Sequence, residues 1–272
     1  MSGPHHSLAV CADDFGQSLP LSKTVTRLAA MGRLTAVSCL TSGAEWGESA
    51  RLLATFPGAV LRGLHFNLTL GTPLSPDLRV HWPEFPSLPV LLLQAGVRAL
   101  PLQAISKEWR AQWEAFVDSV GQVPDFIDGH QHVHHLPGVR DLILSQLPPG
   151  VAVRSTGCLL GPGFAFKRAV IAVTGGRRLA RLLEQMGRAH NQALVGVYDF
   201  RESDYRMLMQ RWLRRLPPQG ALLFCHPGAG NDSIAPARVR EALYLGSSAF
   251  LDDLDNACVS LGHAWPRNSS AG

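Results

Sequence analysis

Five polar residues suited to metal binding or proton transfer follow apolar, strand-like stretches of this chain: Asp13, Asp14, His65, His130 and His226. Aspartate and histidine supply the oxygen and nitrogen ligands that divalent ions take in hydrolases, and the same side chains move protons during catalysis. Carboxylates and imidazoles directly after buried strands therefore predict a metal-dependent hydrolase.

The densest signal is Asp128-Gly-His130-Gln-His132-Val-His134-His135, which holds four histidines and one aspartate within eight residues. Packing rarely explains so many imidazoles, whereas neutral imidazole is a common metal ligand. Because ligands from separate elements are needed to close a coordination sphere, we expect one of these histidines to bind together with His65 and an aspartate. The others would support the ligands or contact substrate. The alternative is a fortuitous His-rich loop.

The remaining strand-end residues each have a structural alternative. Two adjacent carboxylates, Asp13 and Asp14, are costly to bury in a core, which suggests that they have a function. One can ligate a metal while the other faces a water, or the pair can cap a helix or turn. His65 is a candidate ligand or a satisfied core histidine, and Asn67 makes its strand face more polar. His226, before a Pro-Gly turn, is a candidate general acid or base, or a turn histidine.

Other catalytic patterns are weak or missing from the sequence. Arg154 follows Val151–Val153 and is either a ligand for a substrate oxygen or acid, or a surface arginine. Ser42 and Ser155 lack a nucleophile-elbow setting, and no Walker loop or GxGxxG follows a strand. Serine-hydrolase and nucleotide-binding chemistry are therefore not predicted.

The stretches that position these residues alternate between strand and helix. The predicted strands are Leu8–Ala12, Ala36–Leu40, Val60–Leu68, Phe126–Asp128, Val151–Arg154, Leu194–Val197 and Ala221–Cys225. The predicted helices are Leu21–Met31, Glu45–Thr55, Ala104–Val120, Val139–Leu147, Leu179–Ala189 and Tyr205–Leu216. This alternation favours a parallel (β/α) barrel, whose chemistry lies at the carboxyl ends of the strands. The proline-rich segment 71–101 breaks the pattern and is expected to be an insertion or a lid beside the site.

Four motifs together resemble those of the YdjC-like carbohydrate deacetylases, a family that includes the chitooligosaccharide deacetylases. They are Ala12-Asp-Asp-Phe-Gly16, Gly63-Leu-His-Phe-Asn-Leu-Thr69, Asp128-Gly-His-Gln-His-Val-His134 and Cys225-His-Pro-Gly228. The resemblance implies a deformed (β/α) TIM-like barrel over residues 7–265 as a single domain, with disordered tails at 1–6 and 266–272. It also implies hydrolysis of an N-acetyl group from an amino sugar or oligosaccharide, which releases acetate.

The resemblance also implies roles. Asp14 would be the metal carboxylate, His65 and His130 the metal imidazoles, Asp13 the general base and His226 the general acid. The expected substrate contacts are Asn67, His132, His134 and Arg154. One divalent ion is implied: two imidazoles and a carboxylate suit zinc on ligand softness, while magnesium is often associated with the family. Segments 71–101 and 157–196 match no motif, which leaves the identity of the sugar open.

Composition narrows the class further. The formal net charge is +4. The arginine-rich stretches Arg177–Arg188 and Arg206–Arg215 have helical spacing and no interleaved aromatic platform on which bases could stack. We therefore expect solvated helix faces there and not a nucleic-acid site. The five cysteines form no CxxC pair, and no signal-peptide core or membrane-spanning apolar run is visible. These features predict a cytoplasmic protein. Charged residues make up 17%, which leaves room for a covered apolar face such as a homodimer interface.

Two other functions fit the same residues. A metal phosphoesterase or another amidohydrolase would act on a phosphorylated or lipid-linked sugar, in keeping with the basic chain and Arg154. A non-catalytic sugar- or metal-binding protein would need the ligands, but has no use for a spare carboxylate such as Asp13 aimed at water.

Overall fold

The structure, a computed structural model, describes residues 6–265. The two predicted tails therefore lie outside the described residues, with one exception. His6, which the sequence analysis assigned to the N-terminal tail, begins the first strand instead.

The centre of the fold is a sheet of eight strands, and every pairing in it is parallel. The strands are β1 His6–Phe15, β2 Ala36–Cys39, β3 Leu61–Phe66, β4 Phe126–Gly129, β5 Ala152–Val153, β6 Leu194–Val195, β7 Ala221–Cys225 and β8 Val259–Leu261. Seven of them run in the order β5-β4-β3-β2-β1-β7-β6, and β8 pairs with the start of β1. Single bridges, Val153 to His190 and Leu159 to Leu194, link the β5 and β6 sides. The sheet thus curls into a deformed barrel, which confirms the predicted fold class.

Helices connect the strands and cover the outside of the sheet. They are α1 Leu19–Ala30, α2 Trp46–Leu52, α3 Pro76–His81, α4 Leu88–Gly96, α5 Leu102–Val120, α6 Val139–Gln146, α7 Ala165–Ile171, α8 Arg177–Gln185, α9 Tyr205–Leu213, α10 Ala235–Leu245 and α11 Ser248–Asn256. The predicted elements are present with boundaries shifted by a few residues. Within residues 6–265, no helix combines the length and the apolar character needed to cross a bilayer.

Local sequence explains where the best-defined helices begin and end. The hydroxyl of Ser18 accepts a hydrogen bond from the backbone N–H of Leu21, which caps the start of α1. The long helix α5 buries Ile105, Trp109 and Phe116 on one face, as the apolar spacing predicts. It ends at Gly121, whose φ of 77° is the left-handed conformation that glycine adopts without a steric penalty.

The segment 71–101 is more regular than its proline content suggests. It contains α3 and α4, and each of these helices has a proline in its first turn, where a missing N–H leaves no helical hydrogen bond unmade. The carboxylate of Glu108, on α5, accepts hydrogen bonds from the backbone N–H groups of Leu74 and Ser75 and so fixes the entry to this segment. Its role as a lid stays a prediction.

Side chains along each strand alternate between the barrel interior and the helix layer. The interior cluster includes Ala9, Cys11, Leu61, Phe126 and Leu222. The polar residues with the same parity at the carboxyl ends of their strands are Asp13, Ser38, His65, Asp128, Arg154 and His226. The two-residue period of the strands therefore places the chemistry inside one end of the barrel.

Candidate functional site

Three side chains from three elements converge at this end of the barrel: Asp14 from β1, His65 from β3 and His130 just after β4. The Oδ1 atom of Asp14 lies 3.3 Å from Nε2 of His65 and 2.9 Å from Nδ1 of His130. One ligand atom from each residue lies within 4.8 Å of the others, and the carboxylate is buried. These are the three residues that the resemblance implies as metal ligands.

Unusual backbone conformations let adjacent residues share the site. Asp14 has a φ of 64°, and the pairing of β1 with β2 shifts register between Ala12 and Phe15. Strict strand alternation would send Asp13 and Asp14 to opposite faces, whereas both line the same cavity. Gln131 and His132 also have positive φ, 51° and 63°. Left-handed backbone in non-glycine residues is costly and concentrates at functional sites.

Asp128 orients the imidazole of His65 through a hydrogen bond to its Nδ1 atom. Its Oδ1 accepts a hydrogen bond from Nδ1 of His65 at 2.6 Å, so that Nε2 turns toward Asp14. A carboxylate behind an imidazole is the usual support of a metal-binding histidine, because it fixes the tautomer. Burial opposes a charge on His65, but the carboxylates of Asp128, Asp14 and Asp13 together outweigh it and raise the pKa of His65 to about 10. The surroundings therefore attract positive charge.

Asp13 is held by a buried arginine, Arg154, at the carboxyl end of β5. The Nη1 and Nη2 atoms of Arg154 donate to the two oxygens of Asp13, both at 2.6 Å, and Nη2 also lies 2.6 Å from Oδ2 of Asp128. Cys11, Asp13 and Asp128 form a second group with metal-like spacing. The guanidinium of Arg154 lies among these three residues and supplies the cation there.

A second arginine restrains the proposed metal carboxylate. Nη2 of Arg238, on α10, lies 2.6 Å from Oδ2 of Asp14 and 2.7 Å from Oδ2 of Asp232. Oδ2 of Asp14 is therefore occupied, and Oδ1 is the oxygen that faces both imidazoles. Arg238 thus leaves Asp14 with one oxygen for a metal.

The charges of the site fit a divalent cation. Four carboxylates, from Asp13, Asp14, Asp128 and Asp232, are paired with two guanidiniums, from Arg154 and Arg238. With neutral imidazoles the group carries a formal charge of minus two in a buried setting, which is costly without a counter-charge. One divalent ion held by Asp14, His65 and His130 would balance it.

His226 lines the same cavity, and its Nδ1 atom has no hydrogen-bond partner among residues 6–265. The backbone N–H of His226 donates to Oε2 of Glu241, a buried residue of α10. Burial lowers the pKa of His226 to about 4, although Asp14 and Asp13 act in the opposite direction. The imidazole is therefore neutral at pH 7, whereas a general acid must be protonated before it donates.

The cavity itself has a volume of about 370 Å³ and opens at the carboxyl end of the barrel. The predicted residues that line it are Asp13, Asp14, His65, His130, His132 and His226. Most of its other wall is apolar, and includes Leu88, Val170 and Phe200. A small polar corner beside an apolar wall is the usual form of an enzyme pocket.

Three predicted substrate contacts lie behind the wall of this cavity. Arg154 and Asn67 are fully buried, and His134 is 1% exposed. Asn67 closes a turn, because its Oδ1 accepts hydrogen bonds from the backbone of Thr69 and Leu70. Nε2 of His134 is hydrogen-bonded to the carbonyl oxygen of Arg154. In this structure the three side chains support the site from outside the cavity, and their contact with substrate stays a prediction.

Comparison with known proteins places the site in a family. The family model described as YdjC-like protein matches residues 7–256. The chain belongs to this family. A carbohydrate deacetylase of Mus musculus is 32% identical to it over 262 residues, which cover 87% of this chain and 82% of that protein.

Other relatives match a shorter stretch of the YdjC-like chain. A carbohydrate deacetylase of Homo sapiens is 35% identical over 54% of this chain and 47% of its own length. A chitooligosaccharide deacetylase of Escherichia fergusonii is 32% identical over 54% of this chain and 58% of its own. The chain thus spans about half the length of these two relatives. A solved structure from Enterococcus faecalis is provisionally named a cellobiose-phosphate cleavage protein. The match covers 96% of this chain and 98% of that chain, with a TM-score of 0.74 and 19% sequence identity. The two proteins therefore share a fold.

Sequence reasoning left three supporting residues of this YdjC-like site without a role. Asp128 could have been found, since it lies two residues before His130 on a short strand and has interior parity. Arg238 and Asp232 follow no strand and belong to no polar cluster in the sequence. Nothing local distinguishes them from surface residues.

Proposed function

We propose that this protein is a metal-dependent deacetylase that removes the N-acetyl group from an amino sugar or oligosaccharide and releases acetate. The observation that carries the proposal is the pairing of a metal-type ligand set, Asp14, His65 and His130, with a separate, rigidly held carboxylate, Asp13, in one cavity. A site that only binds needs the first of these and not the second. The names of the curated relatives support the same reaction class.

Asp13 is the group that takes the proton from the attacking water. When bound, a divalent ion supplies Lewis-acid polarisation of the acetyl carbonyl and eases deprotonation of water. The bidentate pair with Arg154 fixes the plane of the Asp13 carboxylate. Oδ1 also accepts from the thiol of Cys11, so Oδ2 is the oxygen with a further lone pair for a proton. A base held in place in this way is oriented before the substrate arrives.

His226 donates the proton that the leaving amine needs. As the C–N bond breaks, the amine nitrogen must gain a proton, because an unprotonated amine is a poor leaving group. His226 is neutral at pH 7, so it can deliver a proton only after it has received one. The proton that Asp13 removes from the water passes to His226 and then to the amine. The overall reaction consumes one water and yields acetate and a free amine.

The donor set favours zinc or another first-row ion over magnesium. Magnesium prefers oxygen ligands and retains several waters, whereas two of the three proposed ligands here are imidazole nitrogens.

We further propose that the chain works in the cytoplasm. In the part of the chain that the structure describes, Cys11, Cys39 and Cys225 are buried free thiols.

The direct test is acetate release from a panel of N-acetylated monosaccharides and chitooligosaccharides, after chelation and after zinc, magnesium, manganese or cobalt is added back. We expect release from at least one substrate that is abolished by chelation and restored by a divalent ion.

The His65→Ala variant should stay inactive under every metal condition, because it loses one of the proposed ligands. His81→Ala, at an exposed position on α3, is the matched control and should behave as the unaltered protein does. If no amino sugar yields acetate with any ion, or if His65→Ala keeps full activity after chelation, the proposal is wrong.

A further inference from the structure

An apolar stripe faces solvent on the helical segment that runs from α7 to α8. Phe166, Ala169, Val170 and Val173 recur at the i, i+3, i+4, i+7 spacing that normally turns a helix face to a core. Here Phe166 is 84% exposed and Val173 is 70% exposed. Single apolar side chains at this exposure are ordinary, but a contiguous stripe of them indicates a surface that is covered in use.

The charge along this stretch of the sequence is of one sign. No aspartate or glutamate occurs between Asp141 and Glu184. The cations of the segment are Lys167, Arg168, Arg177, Arg178 and Arg181. The three arginines on α8 lie opposite its buried leucines, Leu179 and Leu183, and are exposed. An exposed apolar stripe followed by a helix that exposes three arginines and one acid, Glu184, has the composition of a segment that lies in an anionic lipid interface.

The stripe adjoins the mouth of the active-site cavity. Val170 belongs to the stripe and also lines the cavity. Leu88, the first residue of α4, also lines the cavity, and α4 exposes Leu93 at 67%, with Val97 just after the helix exposed at 65%. Two helices that flank the cavity thus both present apolar side chains to solvent.

We propose that this face, formed by the α7–α8 segment and the outer side of α4, docks the protein on an anionic lipid bilayer, with the cavity mouth beside the headgroups. The stripe inserts its apolar side chains at the headgroup boundary, and the exposed arginines Arg177, Arg178 and Arg181 pair with lipid phosphates. Charge complementarity selects this occupant. A second copy of the chain placed on the same patch by a two-fold axis would set the arginine-rich patch of one copy against that of the other. A nucleic acid would satisfy the cations but leave Phe166 and Val173 without apolar contact.

The test is binding of the whole protein, loaded with its divalent ion, to vesicles of phosphatidylcholine alone and of phosphatidylcholine mixed with an equal amount of phosphatidylglycerol. We expect affinity for the mixed vesicles to be roughly tenfold or more above that for neutral vesicles, and to fall as salt is added. The double variant Phe166→Glu with Val173→Glu should lose roughly tenfold or more of that affinity, because two charges enter the apolar stripe.

The matched control is Val239→Glu with Leu243→Glu, which places the same charges at exposed apolar positions of α10, 46% and 69% exposed. It should bind mixed vesicles within about twofold of the unaltered protein. Equal loss in both double variants, or no preference for anionic vesicles, would overturn the docking proposal. So would a dimer in light scattering that dissociates in Phe166→Glu with Val173→Glu while vesicle binding is absent.

Activity separates this proposal from the proposed reaction. Phe166 and Val173 do not line the cavity, so their double variant should release acetate from a soluble N-acetylated sugar at the unaltered rate. Acetate release without vesicle binding refutes docking alone, and vesicle binding without acetate release refutes the deacetylase alone.

Discussion

Replacement of Asp128 by asparagine tests whether the buried carboxylate behind His65 tunes the metal site. Asp128→Asn preserves the shape of the side chain and an oxygen that can accept from Nδ1 of His65, now 2.6 Å from the carboxylate. It removes one of the four negative charges and changes the formal charge of the site from minus two to minus one. The amide can also turn its NH₂ group toward His65, and the proton of His65 would then no longer be held on Nδ1.

Loss of such a supporting carboxylate typically weakens metal binding about 10- to 100-fold, or roughly 1.4 to 2.7 kcal/mol. We expect zinc affinity to fall within this range, measured by competition with a fluorescent chelator. Arg154 keeps both oxygens of Asp13, so the fold should survive, and circular dichroism checks this.

Asp125→Asn is the matched control. Asp125 is 6% exposed, lies just before β4 and accepts a hydrogen bond from the backbone of Arg62, away from the metal ligands. Its substitution should leave zinc affinity within about twofold of the original. A folded Asp128→Asn protein with unaltered zinc affinity would refute the role of Asp128, and an equal loss in Asp125→Asn would mean that any buried negative charge has the same effect.

Three further substitutions test separate features of the site. Asp13→Asn should lower kcat by about 10² to 10⁴ while zinc affinity stays nearly constant, because the base is lost and the ligands remain; parallel losses of both would contradict the assignment. Arg154→Met leaves the carboxylates of Asp13 and Asp128 buried without their cation, and should lower the free energy of unfolding in urea by about 3 to 5 kcal/mol; a change under about 1 kcal/mol would argue against this account. Burial raises the pKa of Glu241 from 4.5 to about 7, so between these pH values the folded protein keeps a proton that the unfolded chain has released. The free energy of unfolding should therefore fall by up to about 3 kcal/mol as pH rises through this interval. Glu241→Gln should remove that part of the decline in urea midpoints between pH 5 and 8.

Much of the site was predictable because strand periodicity is local. The alternation of side chains along a strand gives Asp13 and His65 the parity of the barrel interior, and parallel strands bring their carboxyl ends to one side. The same reasoning identifies β4 as the strand that delivers His130. The family motifs then predict which of these polar residues bind metal, and the observed convergence of Asp14, His65 and His130 has the required geometry.

Burial was the part that the sequence predicted least well. Asn67, His134 and Arg154 are polar residues near strand ends, where substrate contacts are expected, yet all three are buried. Whether a strand-end side chain reaches the cavity depends on what packs in front of it. For Arg154 that is Asp13, a residue 141 positions away in the chain.

By itself the sequence determined the residue types, their strand-end positions and the alternation that directs most of them inward, since these follow from covalent geometry and local hydrophobic pattern. Only the tertiary structure decided which oxygen of Asp14 faces the two imidazoles. That depends on a left-handed φ at Asp14 and on Arg238, which is 224 residues away in the chain and approaches Asp14 from α10. Ion pairs over such separations depend on how the barrel closes, because a charge has no preferred partner until folding excludes water and brings one within reach.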